Sequence, residues 1–392
     1  MMIENTFKLL FSVILIFLIL EILISALLRI KNFFLIKEKK RKDFLDPKYH
    51  KYLRRYESAR PIFKYIPIGL RSFNFEDGEI QGVKNNSLGF RCPEFTEKKK
   101  NIIRVVLLGG SAAWGSGSSN NGNTITGHLE KILNEKLKLS RKKKIECWNL
   151  AQINNYLSQD LLNANLFFEK LRPDFVISYA GWNEMAASYL LDQKKLKKFR
   201  TYFMEEVGDV GPMSLPSHRN KLIIKGLSKL LFENSKIISF FQNKNNNKNI
   251  FDKKKFKNEM ILSSSIFVDH LNKFKLMSKG YSFKYIQFLQ PHIYKKNDLT
   301  NSEKKITQLY NFVRPVHGGK NFEEYLKSND IYKYVTKDTK IQKELECYNL
   351  SEMFANSKEK IYYTLVHLTD RGYKLVAERI SQVLLKHIKK LV

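Results

Sequence analysis

The chain has 392 residues, 43% of them hydrophobic, which is enough for one large core but short for two average domains. Its 69 basic and 38 acidic residues give a formal net charge of +31, a balance that would attract nucleic acid, anionic lipid or an acidic glycan. Much of this excess lies in Lys- and Asn-rich stretches such as residues 242–259, and no nucleic-acid recognition motif is present, so we expect no nucleic-acid partner. The three cysteines are far apart and lack CxxC spacing, which indicates neither a metal site nor a disulfide framework.

The N-terminal segment is apolar enough to cross a membrane. Residues 9–28 (LLFSVILIFLILEILISALL) contain one charge, and a helix of this length, at about 1.5 Å per residue, spans a hydrocarbon core of about 30 Å. The run is longer than the apolar part of a cleaved signal peptide and has no clear AxA site, so we predict an uncleaved anchor within residues 1–30. The basic segment 29–42 that follows favours a cytoplasmic location for the rest of the chain, although the whole sequence is rich in Lys.

Residues 31–100 are polar and basic, and we predict a stalk and N-terminal extension there, without evident chemistry. Within this extension, the loop Asn85–Phe95 (NNSLGFRCPEF) is predicted to be ordered. Gly89 lies between apolar neighbours in it, which indicates a tight turn.

Apolar strands alternate with helices over residues 101–392. Strands are predicted at Ile102–Leu108, Ile145–Leu150, Phe175–Tyr179, Tyr285–Leu289 and near Glu346–Leu350, and helices at Thr124–Leu139, Ser158–Leu171, Met260–Met277 and Asp370–Lys389. Near-continuous apolar strands separated by helices are typical of a parallel sheet that is covered on both faces. A basic segment at about residues 190–258 interrupts the pattern, and we interpret it as an insertion.

The first predicted strand of this region ends in a glycine turn that contains a serine. In GGSAAWG, Ser111 would lie at the carboxyl end of the sheet, where parallel α/β sheets bind ligands. Gly109 and Gly110 allow a sharp turn, and amides at such a turn can donate hydrogen bonds to a developing oxyanion. The segment has neither the GK[ST] of a P-loop, nor the GxGxxG of a dinucleotide site, nor the GxSxG of an α/β-hydrolase elbow.

Two further polar residues lie where the same sheet edge is expected. Asn183 in AGWNE follows the strand FVISY, and its side-chain amide is of the kind that stabilises an oxyanion, although Asn is also a common turn residue. His367 in LVHLTDRGYKLVAERI lies just before the C-terminal helix, where it could act as a general base for Ser111. The order Ser, Asn, His then falls on the first turn, a middle turn and the last loop of one sheet.

These segments resemble the SGNH (GDSL-like) hydrolase superfamily over residues 101–392. That family carries a serine block, a glycine block, a GxND block and a DxxH block on a flavodoxin-like three-layer α/β/α sandwich with a parallel sheet. GGSAAWG resembles the first block, with Gly110 where many members have Asp, and GWNE resembles the third, with Glu184 in place of Asp. The resemblance implies that Ser111 is the nucleophile and also donates to the oxyanion from its main chain, that Asn183 is the second donor, and that His367 is the base.

Two blocks depart from the family pattern. The stretch WNLAQINNYLS has no glycine, so the main-chain oxyanion donor of the second block would come from Asn154 or Asn155, residue types that tolerate left-handed conformations. Three residues before His367 stands Thr364 instead of the orienting Asp. Asp370 lies on the other side of the histidine in sequence. Loss of the acid in such a triad commonly lowers the rate by orders of magnitude.

The sequence therefore predicts a membrane-anchored serine esterase that needs no metal and no organic cofactor. NNSLGFR, FLQP and HLTDRGYKLVAERI are similar to membrane-anchored or secreted family members that occur with envelope polysaccharide machinery, which implies an O-acyl ester on a glycan or lipid as substrate and an outward-facing domain. This orientation conflicts with the charge rule, so the membrane side stays open, as do the oligomeric state and acyl transfer to a second sugar. The alternatives are a non-catalytic binding or scaffold protein that keeps the fold, and a basic protein that acts at the membrane surface by charge.

Overall fold

The structure is a computed structural model that describes residues 63–66, 69–72, 82–137, 143–153, 155–190, 253–313, 331–337 and 345–390, together with the single positions 12 and 197. The chain divides into two compact units, Met1–Asp43 with Glu206–Asp252, and Phe44–Glu205 with Lys253–Val392. The predicted anchor at residues 9–28 lies in the first unit and, Ser12 apart, outside the described residues. None of the helices in the described ranges is long and apolar enough to span a bilayer.

The second unit contains a parallel sheet and a separate hairpin. The hairpin pairs β1 (Phe63–Ile66) antiparallel with β2 (Gly69–Ser72). The sheet consists of β3 (Ile102–Gly109), β4 (Lys144–Asn149), β5 (Phe175–Ala180), β6 (Lys284–Leu289) and β7 (Glu346–Asn349), in the order β4-β3-β5-β6-β7. Every neighbouring pair in it is parallel. The parallel sheet predicted from the sequence is confirmed, with strand ends that differ by one residue.

The described helices are α1 (Ser111–Trp114), α2 (Ile125–Leu137), α3 (Leu157–Leu171), α4 (Trp182–Leu190), α5 (Lys253–Gly280), α6 (Asn301–Val313), α7 (Ile331–Lys337) and α8 (Asp370–Ile388). The chain runs from β3 to β4 in one direction across the sheet and from β4 to β5 in the other. Because crossovers between parallel strands are right-handed, α2 and α3 cover opposite faces. In agreement with this, α2 packs against α8 and α3 packs against α5.

Burial explains why the central strands appear in the sequence as continuous apolar runs. All residues of β5 are buried, as are all residues of β3 after the first. Both strands lie inside the sheet and are covered on two faces, so alternation between apolar and polar residues is lost. By contrast, β7 is only half-buried. The helix α5 begins at Lys253, inside the segment 190–258 that was interpreted as an insertion, and residues 198–252 lie outside the described residues.

Part of the predicted extension 31–100 belongs to the folded unit. The loop Asn85–Phe95 is ordered as predicted, with Gly89 at φ 80°. Phe90 is fully buried, and Phe95 stacks on Trp148 of β4 with ring centroids 5.3 Å apart. The α/β unit therefore begins before residue 101, where the sequence pattern placed its boundary, because this loop is packed through side chains that show no periodicity.

Candidate active site

Ser111 lies at the carboxyl end of β3 as the first residue of α1. The turn before it is tight: Gly109 has φ 139°, and a Cβ on it would lie 2.3 Å from the carbonyl oxygen of Tyr179 in the neighbouring strand. As the first residue of a helix, Ser111 has a main-chain N–H without an acceptor inside that helix. The turn therefore presents both a hydroxyl and an N–H at the edge of the sheet.

The far end of α1 is held by Arg91, a residue that the sequence pattern did not single out. Its Nη1 donates to the carbonyl oxygens of Gly115 at 2.9 Å and Trp114 at 3.4 Å, and its Nε donates to Asn121 Oδ1 at 2.9 Å. The guanidinium also lies over the Trp114 ring, 4.6 Å from the centroid. Arg91 is buried and belongs to the loop Asn85–Phe95. Through this side chain, the loop fixes the one-turn helix that carries the serine.

The structure brings His367 to Ser111. The imidazole Nε2 and the serine Oγ are 2.8 Å apart, although the two residues are separated by 256 positions in sequence. Burial lowers the pKa of His367 to about 4, so the ring is neutral at pH 7. A neutral imidazole at this distance is able to accept the proton of the hydroxyl.

The loop that carries the histidine (residues 359–369, the histidine loop) is ordered by its own main chain. Tyr363 N–H donates to His367 O at 2.8 Å, and the hydroxyl of Thr364 accepts from His367 N–H at 3.1 Å. Thr364 is buried, and its hydroxyl contacts the main chain of His367 and not the imidazole ring. Within the described part of the chain, no carboxylate is hydrogen-bonded to the imidazole, so the departure at position 364 is not compensated there by a nearby acid.

A buried ion pair anchors the start of the histidine loop. Glu303 Oε1 accepts from the N–H groups of Ile361 at 2.9 Å and Tyr362 at 3.1 Å, and its other oxygen binds Lys296. Lys296 also donates to the carbonyl oxygen of Glu359 at 2.6 Å. The side chains of Lys296 and Glu303 are fully buried. This carboxylate supports the backbone several residues before His367.

Asn183 lies beside the serine turn. Its Nδ2 donates to the carbonyl oxygen of Asn155 at 2.7 Å, and a Cβ on Gly110 would lie 2.4 Å from the same nitrogen. The absence of a side chain at position 110 thus leaves room for this amide next to Ser111. One of the two amide hydrogens is used by Asn155, and the other can be donated to a further acceptor.

The structure describes only one of the two candidate asparagines of the second block. Asn154 lies outside the described residues. The N–H of Asn155 donates to the carbonyl oxygen of Gln152 at 3.2 Å, so this N–H is already engaged, and Asn155 contributes to the site by its carbonyl oxygen. Ser111 N–H and Asn183 Nδ2 are the predicted oxyanion donors that the structure brings together.

Two buried carboxyl groups support the Asn155–Asn183 contact. Asp160 Oδ1 accepts from Asn155 Nδ2 at 3.1 Å, while Glu184 accepts from the N–H groups of Leu157 at 2.9 Å and Gly181 at 3.0 Å. Burial raises the pKa of Asp160 to about 8 and that of Glu184 to about 7. Glu184, which stands where the family pattern has Asp, therefore links the start of α3 to the turn that carries Asn183.

Asp370 lies at the start of α8 and faces the loop that follows α1 (residues 115–124, the α1–α2 loop). Its Oδ1 accepts from Ser119 N–H at 2.8 Å, and its Oδ2 accepts from Ser119 Oγ at 2.6 Å and Asn123 Nδ2 at 3.2 Å. Nearby, Tyr373 OH donates to the carbonyl oxygen of Ser116 at 2.7 Å. No sequence pattern predicts these contacts, because their partners are about 250 residues apart.

The arrangement has the parts of an acyl-transfer site: a hydroxyl, a neutral imidazole in contact with it, and two N–H donors beside it. Among the described residues, no group of three or more His, Cys, Asp or Glu side chains has the arrangement of a metal site.

No family model matches the chain, and no curated protein matches it. Solved structures similar to it include the acetyl xylan esterase AlAXEase, at 12% identity and a TM-score of 0.33, with 72% of this chain and 99% of that chain covered. The lipase/acylhydrolase from Enterococcus faecalis has 12% identity and a TM-score of 0.33, with 72% and 95% covered. A G-D-S-L family protein from Desulfitobacterium hafniense DCB-2 has 14% identity and a TM-score of 0.32, with 71% and 98% covered. The names of these neighbours are those of ester hydrolases and of the G-D-S-L family that the sequence motifs resemble.

Proposed function

We propose that the chain is a serine esterase of SGNH type that hydrolyses O-acyl esters. The observation that carries the proposal is the 2.8 Å contact between His367 Nε2 and Ser111 Oγ at the carboxyl end of a parallel sheet. The sheet order β4-β3-β5-β6-β7 also supports it, because this is the flavodoxin-like order expected of the family.

In the proposed reaction, Ser111 Oγ attacks the ester carbonyl carbon while His367 Nε2 takes the hydroxyl proton. The carbonyl oxygen gains negative charge and is stabilised by Ser111 N–H and Asn183 Nδ2. The C–O bond to the alcohol then breaks, and the imidazolium gives its proton to the leaving oxygen. A water molecule, deprotonated by His367, attacks the acyl-serine and releases the carboxylic acid and free Ser111.

The proposed setting is a membrane, with residues 9–28 as the anchor and an acylated glycan or lipid as the substrate. The apolar run and the resemblance of the sequence motifs support this part of the proposal. If a sugar hydroxyl takes the place of water in the second step, the same residues transfer the acyl group instead of hydrolysing it. A C-terminal alkaline phosphatase fusion, which is active only outside the cytoplasm, distinguishes the two orientations of the domain.

A second candidate is a binding protein that keeps the fold without turnover. The specific observation in its favour is Thr364, whose hydroxyl binds the main chain of His367 in the place of the expected acid. Without a carboxylate to stabilise the imidazolium, proton transfer from the serine is less favourable. The retained contact between Ser111 and His367 favours the enzyme.

The test uses the full-length chain in an ester-free detergent, with p-nitrophenyl acetate as substrate and a fluorophosphonate as covalent probe. Two variants serve as matched controls. Ser87→Ala changes an exposed residue of the loop Asn85–Phe95, and His387→Ala removes a partly exposed imidazole near the end of α8. We expect the wild type and both controls to hydrolyse the ester and to be labelled, whereas Ser111→Ala and His367→Ala show neither reaction.

Three outcomes have different meanings. Turnover and labelling that disappear with Ser111→Ala support the esterase. A folded wild type without turnover or labelling favours the binding protein. Labelling that persists in Ser111→Ala would show that another residue reacts, and the assignment of the nucleophile would be wrong.

A further inference from the structure

We propose that Asp370 is a positioning residue of this site, whose carboxylate fastens the α1–α2 loop to α8 and thereby fixes Ser111 against His367. This inference rests on the proposed function for its catalytic consequence, but its structural part is independent of turnover. It gives a role to a carboxylate that does not touch the imidazole.

The need for such a contact follows from the connectivity of the site. Ser111 begins a helix of one turn, and His367 lies in the loop before α8. Within the described residues, no carboxylate bonded to the imidazole holds the two together. Their separation therefore depends on how the segments on either side of them pack.

The first contribution to this packing is the carboxylate of Asp370. It accepts three hydrogen bonds, from the main chain and side chain of Ser119 and from the side chain of Asn123. Hydrogen bonds to an ionised carboxylate are roughly twice as strong as those between neutral groups. Asp370 is only three residues from His367, and Ser119 is eight residues from Ser111, so this contact joins the two halves of the site close to both.

The second contribution is close packing of the two main chains. Gly117 has φ 95°, and a Cβ on it would lie 3.0 Å from the carbonyl oxygen of Leu368 and 3.1 Å from the Tyr363 ring. One turn into α8, Tyr373 OH reaches the carbonyl oxygen of Ser116 at 2.7 Å. The loop after the serine thus lies directly on the residues that flank the histidine, and Asp370 is the charged member of this set.

The experiment compares the full-length wild type with Asp370→Ala and Asp370→Glu, and Arg379→Ala serves as the control. Arg379 is an exposed residue of the same helix, and its side chain donates to Gln382 of α8. Loss of the tether should lower kcat toward p-nitrophenyl acetate by about 10- to 100-fold, the scale of a misplaced reactive group, with a smaller change in KM. Asp370→Glu should restore part of kcat, and Arg379→Ala should leave it unchanged.

A second readout does not need turnover. With histidine labelled at Cε1, the titration of His367 is followed by NMR and assigned by comparison with His367→Gln. In the wild type, burial holds its pKa at about 4. In Asp370→Ala, separation of the two loops should admit water to the ring and move its titration toward the ordinary value near 6.5.

The outcomes separate the two proposals. If the wild type neither turns over nor reacts with the fluorophosphonate, but the titration of His367 moves in Asp370→Ala, the esterase proposal fails and the tether stands. If a folded Asp370→Ala variant has wild-type kcat and wild-type titration, the tether is wrong. Should Asp370→Ala not fold, Asp370→Asn takes its place: it keeps the shape of the side chain, but its amide nitrogen cannot accept the two bonds now made to Oδ2, from Ser119 Oγ and Asn123 Nδ2. Wild-type values in that variant would equally overturn a tether made by the carboxylate.

Discussion

The serine side and the histidine side of the site are held by different means. On the serine side, the donor side chain is itself fixed: Asn183 Nδ2 donates to the main-chain carbonyl oxygen of Asn155, and the Asn155 side chain is bonded to the buried carboxyl of Asp160. On the histidine side, polar groups hold the main chain: Thr364 accepts from the N–H of His367, and no described carboxylate bonds to the ring. The serine side therefore has fixed donors, while the base depends on the placement of its loop.

Under the proposed chemistry, Thr364 in the place of an acid therefore weakens proton transfer by His367 more than oxyanion stabilisation by Asn183. If this is right, activity requires both the support of the histidine loop and the fixed amide of Asn183.

Removal of the buried ion pair under the histidine loop should have the largest effect, a loss of stability. Glu303→Ala leaves Lys296 buried without its partner and removes the acceptor of two N–H groups. We expect the free energy of unfolding to fall by about 3–5 kcal/mol, measured by urea denaturation. The matched control is Glu359→Ala, which removes an exposed pair and should leave the urea midpoint unchanged. Equal midpoints for Glu303→Ala and the wild type would show that the loop is not held in this way.

The next largest effect should be a fall in kcat when the amide of Asn183 is removed. Asn183→Ala removes an N–H from the developing oxyanion, and the loss of one such donor lowers kcat by about 10²- to 10³-fold. Steady-state hydrolysis of p-nitrophenyl acetate measures it. Because the amide acts on charge in the transition state, KM should change much less than kcat. An unchanged kcat would mean that this amide does not face the reacting carbonyl.

A smaller effect, in the opposite direction, should follow from placing at position 364 the Asp of the SGNH pattern that the sequence resembles. Thr364→Asp keeps an acceptor near His367 N–H and adds a negative charge that stabilises the imidazolium, so kcat at pH 7 should rise by about 10-fold or more. Thr364→Asn, which has a similar shape without the charge, is the matched control and should not raise it. If both variants are slower than the wild type, the hydroxyl itself is required.

The smallest effect is the shift of the acid limb of the kcat/KM profile of the wild type to low pH. The imidazole must be neutral to accept the serine proton, and burial lowers the pKa of His367 to about 4. The value of kcat/KM should therefore stay constant on acidification to about pH 5 and fall only as the pH passes through 4. In Thr364→Asp the added charge favours the protonated ring, so the decline should begin at a higher pH. A wild-type decline centred near 6.5 would show that the ring is solvated.

Much of this molecule could be predicted from local sequence patterns, because central parallel strands are continuous apolar runs and their carboxyl ends share one edge. That rule was enough to expect Ser111, Asn183 and His367 at one place. It was not enough to choose between Asn154 and Asn155, since the choice depends on which main-chain groups of a glycine-free turn are already bonded.

The remaining features depend on contacts between distant segments. Arg91 fixes α1 from a loop without periodicity, and Asp370 pairs with Ser119 across 251 positions. The sequence pattern also gave no indication of α6 and α7. Neither the direction of the Thr364 hydroxyl nor the burial of Asp160 follows from residue spacing, because both are set by tertiary packing.

Ser111 and His367 are 256 positions apart, which fixes the order in which the two side chains appear during synthesis. The nucleophile is on the first strand of the sheet and the base follows the last described strand. A ribosome-bound chain that has released only its N-terminal half carries the serine without its proton acceptor. If the chain hydrolyses esters as proposed, the reaction can begin only after the histidine loop has reached the serine turn.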